Sequence, residues 1–498
     1  MPPLSAGGRR GGLARVAAAQ AAAPTVEWYP SAGNAAAATS GTETRGIWRL
    51  GAVWRSLTRG VEFNLPFLGF LVYLATIVTN RFTVAQPAVV LAFFGLLGQR
   101  RPFRVGGLGL LFAAYITWAA VTVALSPYRG SREVMEAIEN LCKLLIVFVI
   151  GVNAVRTRAQ WRFVIAWILF WFAAYPGRGS YLNYITGANL WFGRVVWNGV
   201  YGNPNDLAVI TLLMLGLAAA LAVGERPGLV RTAARLGIPA LALLISFTQS
   251  RGVLVALIVF TALALITSRA GKRAGQRVRK RPLRTAAAVG AAGVVFAVFA
   301  PESMWERLRG LVYQSDETNA EALSNDSSAQ QRLEIWRVAR TVIAENWATG
   351  VGAGGYPKAH VRTAARPQFK RIAGGARDTH STYLNVLAEV GVVGFVLFMT
   401  MLLYTIVDAE RTRRRVREFD PEGARSLLML ELGLVAYLIA GIWGSYGKLN
   451  MTYLMLLLVW TRARALEQDA RRVPGPSGQA LPGGQPATRR GRLLPTPA

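Results

Sequence analysis

Long apolar blocks recur from about residue 60 to about residue 460, each roughly 15 to 22 residues long, and they constrain the fold more than any other feature. A helix of that length crosses bilayer hydrocarbon, where each backbone N–H and C=O must be satisfied within the segment. The sequence is 53% hydrophobic and only 16% charged, against about a quarter charged in ordinary soluble domains. We therefore expect an all-α polytopic membrane protein. Its spans are placed at 62–79, 84–98, 105–125, 137–154, 161–175, 205–223, 234–249, 252–268, 284–300, 383–407, 427–446 and 449–461, about twelve in all.

A net charge of +30 would suit nucleic acid if it formed one continuous field. Instead it is split between two tails and the connectors 99–104, 156–162, 226–235, 269–284 and 411–425. Basic connectors mark the cytoplasmic side of membrane helices, so both termini are expected in the cytoplasm and no nucleic acid as a partner. Residues 1–58 and 463–498 read as disordered basic tails, with spans one to nine in 59–300 and spans ten to twelve in 383–462. Between them, 301–382 forms one large loop on the outer side. That loop is nearly balanced in charge, so an anion site there would be local. The single cysteine, Cys142, allows no internal disulfide. Glu139 and Lys143, at i and i+4, can neutralise each other on one helix face, whereas Glu389 and Glu431 have no evident partner in the sequence.

Four stretches could carry chemistry. In Tyr201-Gly202-Asn203-Pro204-Asn205-Asp206, Asn203 fits an N-cap and Pro204 a first helical position. The same helix N-terminus could instead face an anion, with Asn205 and the upstream Arg194 in support. The aromatic residues Tyr181, Tyr184, Trp191, Phe192 and Trp197 suit an interfacial belt or a sugar platform. In Ser250-Arg251-Gly252, the arginine stands at the outer boundary, where it either snorkels or grips an anion such as phosphate through its planar fork. An amphipathic helix is expected over 328–347, with Leu333, Trp336, Ala339, Val342 and Ile343 on its apolar face. Arg332 lies one turn before Trp336, and Arg337 and Arg340 fall elsewhere around the wheel. The run Gly350 to Pro357 reads as a flexible turn, since no Lys-Ser/Thr completes a phosphate loop. Finally, His380 heads the tenth span, either as a helix-start residue or as a general base kept neutral by neighbouring arginines. No metal-ligand spacing accompanies it, and neither a metal nor another cofactor is expected.

Taken in order, Gly202-Asn203-Pro204-Asn205, Ser250-Arg251-Gly252, Arg332 with Trp336, Gly350-x-Gly352, and His380 through Glu389 and Gly391 resemble the O-antigen ligase/polymerase family over roughly residues 60 to 460. The resemblance implies a membrane-embedded glycosyltransferase of GT-C-like architecture, with a large periplasmic loop containing short helices. It implies inverting, metal-independent transfer of a glycan from undecaprenyl diphosphate to a hydroxyl of a glycan, lipid or protein acceptor, at the outer face of the bacterial inner membrane. Arg251 and Arg332 would hold the diphosphate, with Asn203, Asn205, Arg194 and Arg337 in possible support, and His380 would act on the acceptor. A polymerase of lipid-linked repeat units shares every one of these features. A solute or bicarbonate transporter is the remaining alternative, and the scarcity of charge within the spans speaks against it.

Overall fold

The computed structural model describes residues 50–225, 228–270 and 320–472. These are almost wholly helical: α1 (Leu50–Thr58), α2 (Leu65–Thr79), α3 (Ala85–Leu97), α4 (Gly106–Leu125), α5 (Arg132–Ala154), α6 (Arg158–Phe172), α7 (Arg178–Thr186), α8 (Pro204–Gly224), α9 (Leu229–Phe247), α10 (Arg251–Ala270), α11 (Ala320–Glu345), α12 (Tyr356–Ala364), α13 (Thr382–Val416), α14 (Pro421–Ala440) and α15 (Asn450–Arg472). Two two-residue strands, β1 (Leu190–Trp191) and β2 (Arg194–Val195), make a small antiparallel hairpin.

Eleven expected spans coincide with helices, and the twelfth, 284–300, lies outside the described residues. Five of these helices, α4, α8, α9, α13 and α14, are long and apolar enough to cross a membrane, which makes this a multi-pass membrane protein. Helices α2 and α3 are apolar but only 15 and 13 residues long. Local sequence explains the helix starts. The Asn64 carboxamide accepts from Phe67 N at 3.1 Å at the head of α2, Thr157 and Gln160 form a capping box on α6, and Asp420 accepts from Gly423 N at 2.8 Å before α14. In α2, α8 and α14 a proline occupies the first turn, where its missing N–H costs nothing.

Helix α8 is apolar on every face and buried along nearly its whole length, with α9 and α14 packed against it. Gly216 and Gly433 bring α8 and α14 into backbone contact, since a Cβ on Gly216 would stand 3.1 Å from Gly433 Cα. The two ends of the bundle differ. One gathers ion pairs between helices, including Arg158–Asp420 at 2.8 Å and Arg464–Asp408 at 2.5 Å. There Glu431 also finds a cation, Arg413, at 3.8 Å. The expected Glu139–Lys143 pair forms along α5 at 2.5 Å.

At the other end, α11 and α12 build a small second core from Ile335, Val338, Ala339, Val342, Tyr356 and Ala359. Of the expected apolar face of α11, Ala339 and Val342 are buried and Trp336 and Ile343 pack against them; Leu333 is instead exposed, and Ile335 is buried in its place because α12 packs on that side. His360 belongs to this core. Its Nε2 donates to Ala373 O at 2.8 Å while Nδ1 accepts from the Tyr356 hydroxyl at 3.0 Å, which fixes one neutral tautomer.

Three further expectations change. Residues 50–58, read as part of a disordered tail, form α1, whose Trp54 meets Phe163 edge-on at 5.8 Å. The last helix continues to Arg472, eleven residues past the expected 461, because Arg464 and Asp469 find partners on neighbouring helices. The glycine run 350–355 is buried and fastened to a break in α13. There Gly391 has φ +64, and Val351 N donates to Ala388 O and Val392 N to Trp347 O, both at 2.9 Å. The carbonyl released at Val390 accepts Trp118 Nε1 at 2.8 Å. A broken helix survives in a membrane protein when such partners re-satisfy its backbone. Residues 1–49, 271–319 and 473–498, with the expected tails and the start of the loop, lie outside the described residues.

Candidate active site

The start of α8, the α9–α10 turn and the hairpin meet at the loop-bearing end. Asn203 caps α8 by accepting from Asn205 N at 2.8 Å, so the helix-initiation reading of that residue holds. The carboxamide oxygen of Asn205 accepts from Arg194 Nη2 at 2.8 Å and from Ser250 Oγ at 2.9 Å. Arg194 Nε reaches Thr248 O, also at 2.8 Å. One hairpin arginine therefore ties α8 to the turn that delivers Arg251, the half-buried first residue of α10. Gly252 lets α10 approach Trp443, whose Cβ would lie 3.0 Å from an added methyl.

The second half comes from α11 and the entry to α13. Trp336 Nε1 donates to Thr379 O at 2.9 Å, which pins α11 over the segment that leads into His380. The Thr379 hydroxyl donates to Ser381 O at 2.7 Å, and the Asp378 carboxylate accepts from Asn385 Nδ2 at 2.6 Å and from Thr379 N at 2.9 Å. His380 is held between these bonds with φ +51, a left-handed conformation uncommon for a residue with a side chain. Burial lowers its pKa, the Arg332 guanidinium lowers it further, and Asp378 opposes both, so the imidazole is neutral near pH 7. Arg332 is itself largely desolvated, and burial pulls it below its ordinary value. Among the described residues it makes no hydrogen bond or ion pair.

Tyr446 joins the halves. It lies in the 441–449 turn, whose Thr382 hydroxyl contacts (to Gly444 O at 2.7 Å, from Tyr446 N at 2.9 Å) bind it to the head of α13. Burial raises the Tyr446 pKa, the Asp206 carboxylate raises it further, and Arg332 and Arg194 pull it back. Both arginines therefore lie within electrostatic reach of one phenol, His380 lies within reach of Arg332, and Arg251 follows Ser250, which shares Asn205 with Arg194. Arg337 does not join them. It is half exposed and paired at 3.0 Å with Glu334, whose other oxygen accepts from Lys370 N, also at 3.0 Å.

Of the aromatic residues expected in a belt or platform, Tyr181 and Tyr184 pack on Phe247, and Trp197 covers Gly179. Only Trp191 and Phe192, at the hairpin tip, remain exposed. Sequence reasoning missed Tyr446 because a tyrosine in a short connector resembles an interfacial anchor. It also missed the partner of Glu389, which is Lys448 at 2.6 Å, 59 residues away. Among the described residues no group of three or more His, Cys, Asp or Glu side chains is arranged to hold a metal ion.

Arg251, Arg332 and His380 all fall within residues 236–399, the range matched by one family model. No curated protein matches the chain. Residues 236–399 match the family model described as O-Antigen ligase, a match over about a third of the chain that supports the O-antigen ligase/polymerase superfamily.

Proposed function

We propose that this protein transfers a glycan from a lipid diphosphate, undecaprenyl diphosphate in bacteria, to an acceptor hydroxyl at the outer face of the inner membrane. The observation that carries the proposal is a largely desolvated guanidinium, Arg332, with no anionic partner among the described residues, close enough to lower the pKa of the His380 imidazole. Burying a cation is costly unless an anion neutralises it, and a diphosphate supplies that anion. In the reaction the acceptor oxygen attacks the anomeric carbon as the bond from that carbon to the diphosphate oxygen breaks. Attack from the face opposite the leaving group inverts the anomeric configuration. The acceptor proton passes to His380, and negative charge gathers on the departing diphosphate, where Arg251 and Arg332 stabilise it. Fixed donors of this kind contribute to the barrier what a divalent cation contributes in other transferases.

The long loop then faces the periplasm and both termini the cytoplasm, in keeping with the basic connectors. Ligase and polymerase differ only in the acceptor, so a deletion strain separates them. Long glycan chains left unattached indicate a ligase, and single repeat units on the surface acceptor indicate a polymerase. A deletion strain with wild-type surface glycan contradicts both.

A further inference from the structure

A cavity of about 410 Å³, inside the roughly 300–1,000 Å³ range of ordinary ligand pockets, lies between the α2–α3 turn and the 441–449 turn. The transfer chemistry does not use it. Its lining includes Asn80, Arg81, Asn450 and Lys448, and no acidic side chain among the described residues lines it. Lys448 spends one donor on Glu389, at 2.6 Å, and Arg81 is exposed with no ion pair or hydrogen bond among the described residues. The floor is apolar, with Ile77 and Met451. Ile77 and Asn450 also head a narrow crevice between α2, α5 and α15, walled by Tyr73, Leu144, Phe148 and Leu457. That crevice has only about 10 Å³ of free space, so it is a seam that a chain must part. A cationic, amide-rich mouth above an apolar seam is complementary to a molecule with an anionic head and an aliphatic tail.

We propose that this cavity holds the phosphate-bearing end of an amphiphile other than the glycan donor, with one aliphatic chain along the α2–α5–α15 seam. Two sources share that chemistry: an acceptor that carries a lipid phosphate, and a bilayer phospholipid. Lys448 lies within electrostatic reach of Asp378, two residues from His380, so an acceptor seated here stands near the imidazole. The binding claim does not depend on glycosyl transfer.

The test uses full-length protein in phosphatidylcholine nanodiscs and a diazirine-labelled phosphatidic acid as probe. Labelling is expected in peptides spanning 76–85 or 448–451, and Arg81→Glu should weaken it by about tenfold, the scale of one lost charge-assisted contact. Ile77→Trp, which fills the floor without touching charge, should weaken it as well. Equal labelling in both variants, or equal labelling by a diacylglycerol probe that lacks phosphate, overturns the proposal. A second arm reads the source in a transfer assay. A raised acceptor KM in Arg81→Glu, with kcat and donor KM unchanged, supports the proposal with the acceptor as occupant. An unchanged acceptor KM alongside weakened labelling supports it with bilayer lipid as occupant. Labelling is scored without turnover, so it still reads the cavity if the transferase reading fails.

Discussion

At the level of single residues, His380 and Arg332 are linked because the guanidinium bears on the imidazole. The guanidinium lowers the imidazole pKa and Asp378 raises it. A general base works only when unprotonated, so activity should fall as pH drops through the lowered pKa. Arg332→Gln removes a lowering influence, and the acid limb of its kcat/KM profile should move to higher pH. Asp378→Asn removes a raising influence, and its limb should move to lower pH. Limbs that do not move, or that move the other way, place the titrating group elsewhere. The two arginines of α11 make a matched pair for comparison. Arg332→Ala should slow transfer roughly a hundred- to thousand-fold, the usual cost of one preorganised donor to developing charge. Arg337→Ala breaks a partly exposed pair with Glu334, so about 1 kcal/mol or less of stability and little activity should be lost.

At the scale of elements, the break in α13 fastens the loop after α11 to the helix that follows His380. Gly391 adopts a positive φ, and a Cβ there would drive into the Ala348 carbonyl. Gly350 meets the Glu389 carbonyl in the same way from the opposing loop, at φ +70. Gly391→Ala should therefore cost on the order of 3 kcal/mol, read as a lower unfolding temperature in detergent, and should reduce transfer by displacing α11. An unchanged melting temperature would mean that the loop and helix are not locked here. Much of this level was legible in the sequence. Apolar blocks located eleven helices, and Asn203 marked a start through ordinary capping chemistry. The face of α11 was legible from Trp336 to Ile343 but not at its edge, because only the position of α12 decides whether Leu333 or Ile335 is buried. Nor was the rigidity of 350–355, since glycine suits a loose turn and a close backbone contact equally well.

Across the whole molecule, residues from six separated stretches are joined by hydrogen bonds and charge at the loop-bearing end, while ion pairs such as Arg158–Asp420 and Arg464–Asp408 gather at the other. The individual candidates Arg251, Arg332 and His380 could be named from sequence, each being a polar residue at the edge of an apolar block. Their convergence was expected only through the family resemblance, because in the residues themselves it depends on contacts between distant stretches, such as Arg194 with Thr248 and Tyr446 with Thr382. If the arginines carry the leaving-group charge, reconstituted transfer should persist in excess EDTA, and strict dependence on added magnesium or manganese would count against that role. The central claim is that binding and proton transfer are divided between the arginines and the histidine of one site. Its most direct test is to measure donor Kd and single-turnover transfer rate side by side for His380→Ala and Arg251→Ala in proteoliposomes. The account predicts that His380→Ala holds the lipid diphosphate nearly as wild type does while transfer slows by roughly a hundred- to ten-thousand-fold, and that Arg251→Ala loses donor affinity. Wild-type transfer by His380→Ala, or wild-type donor affinity in Arg251→Ala, would contradict it.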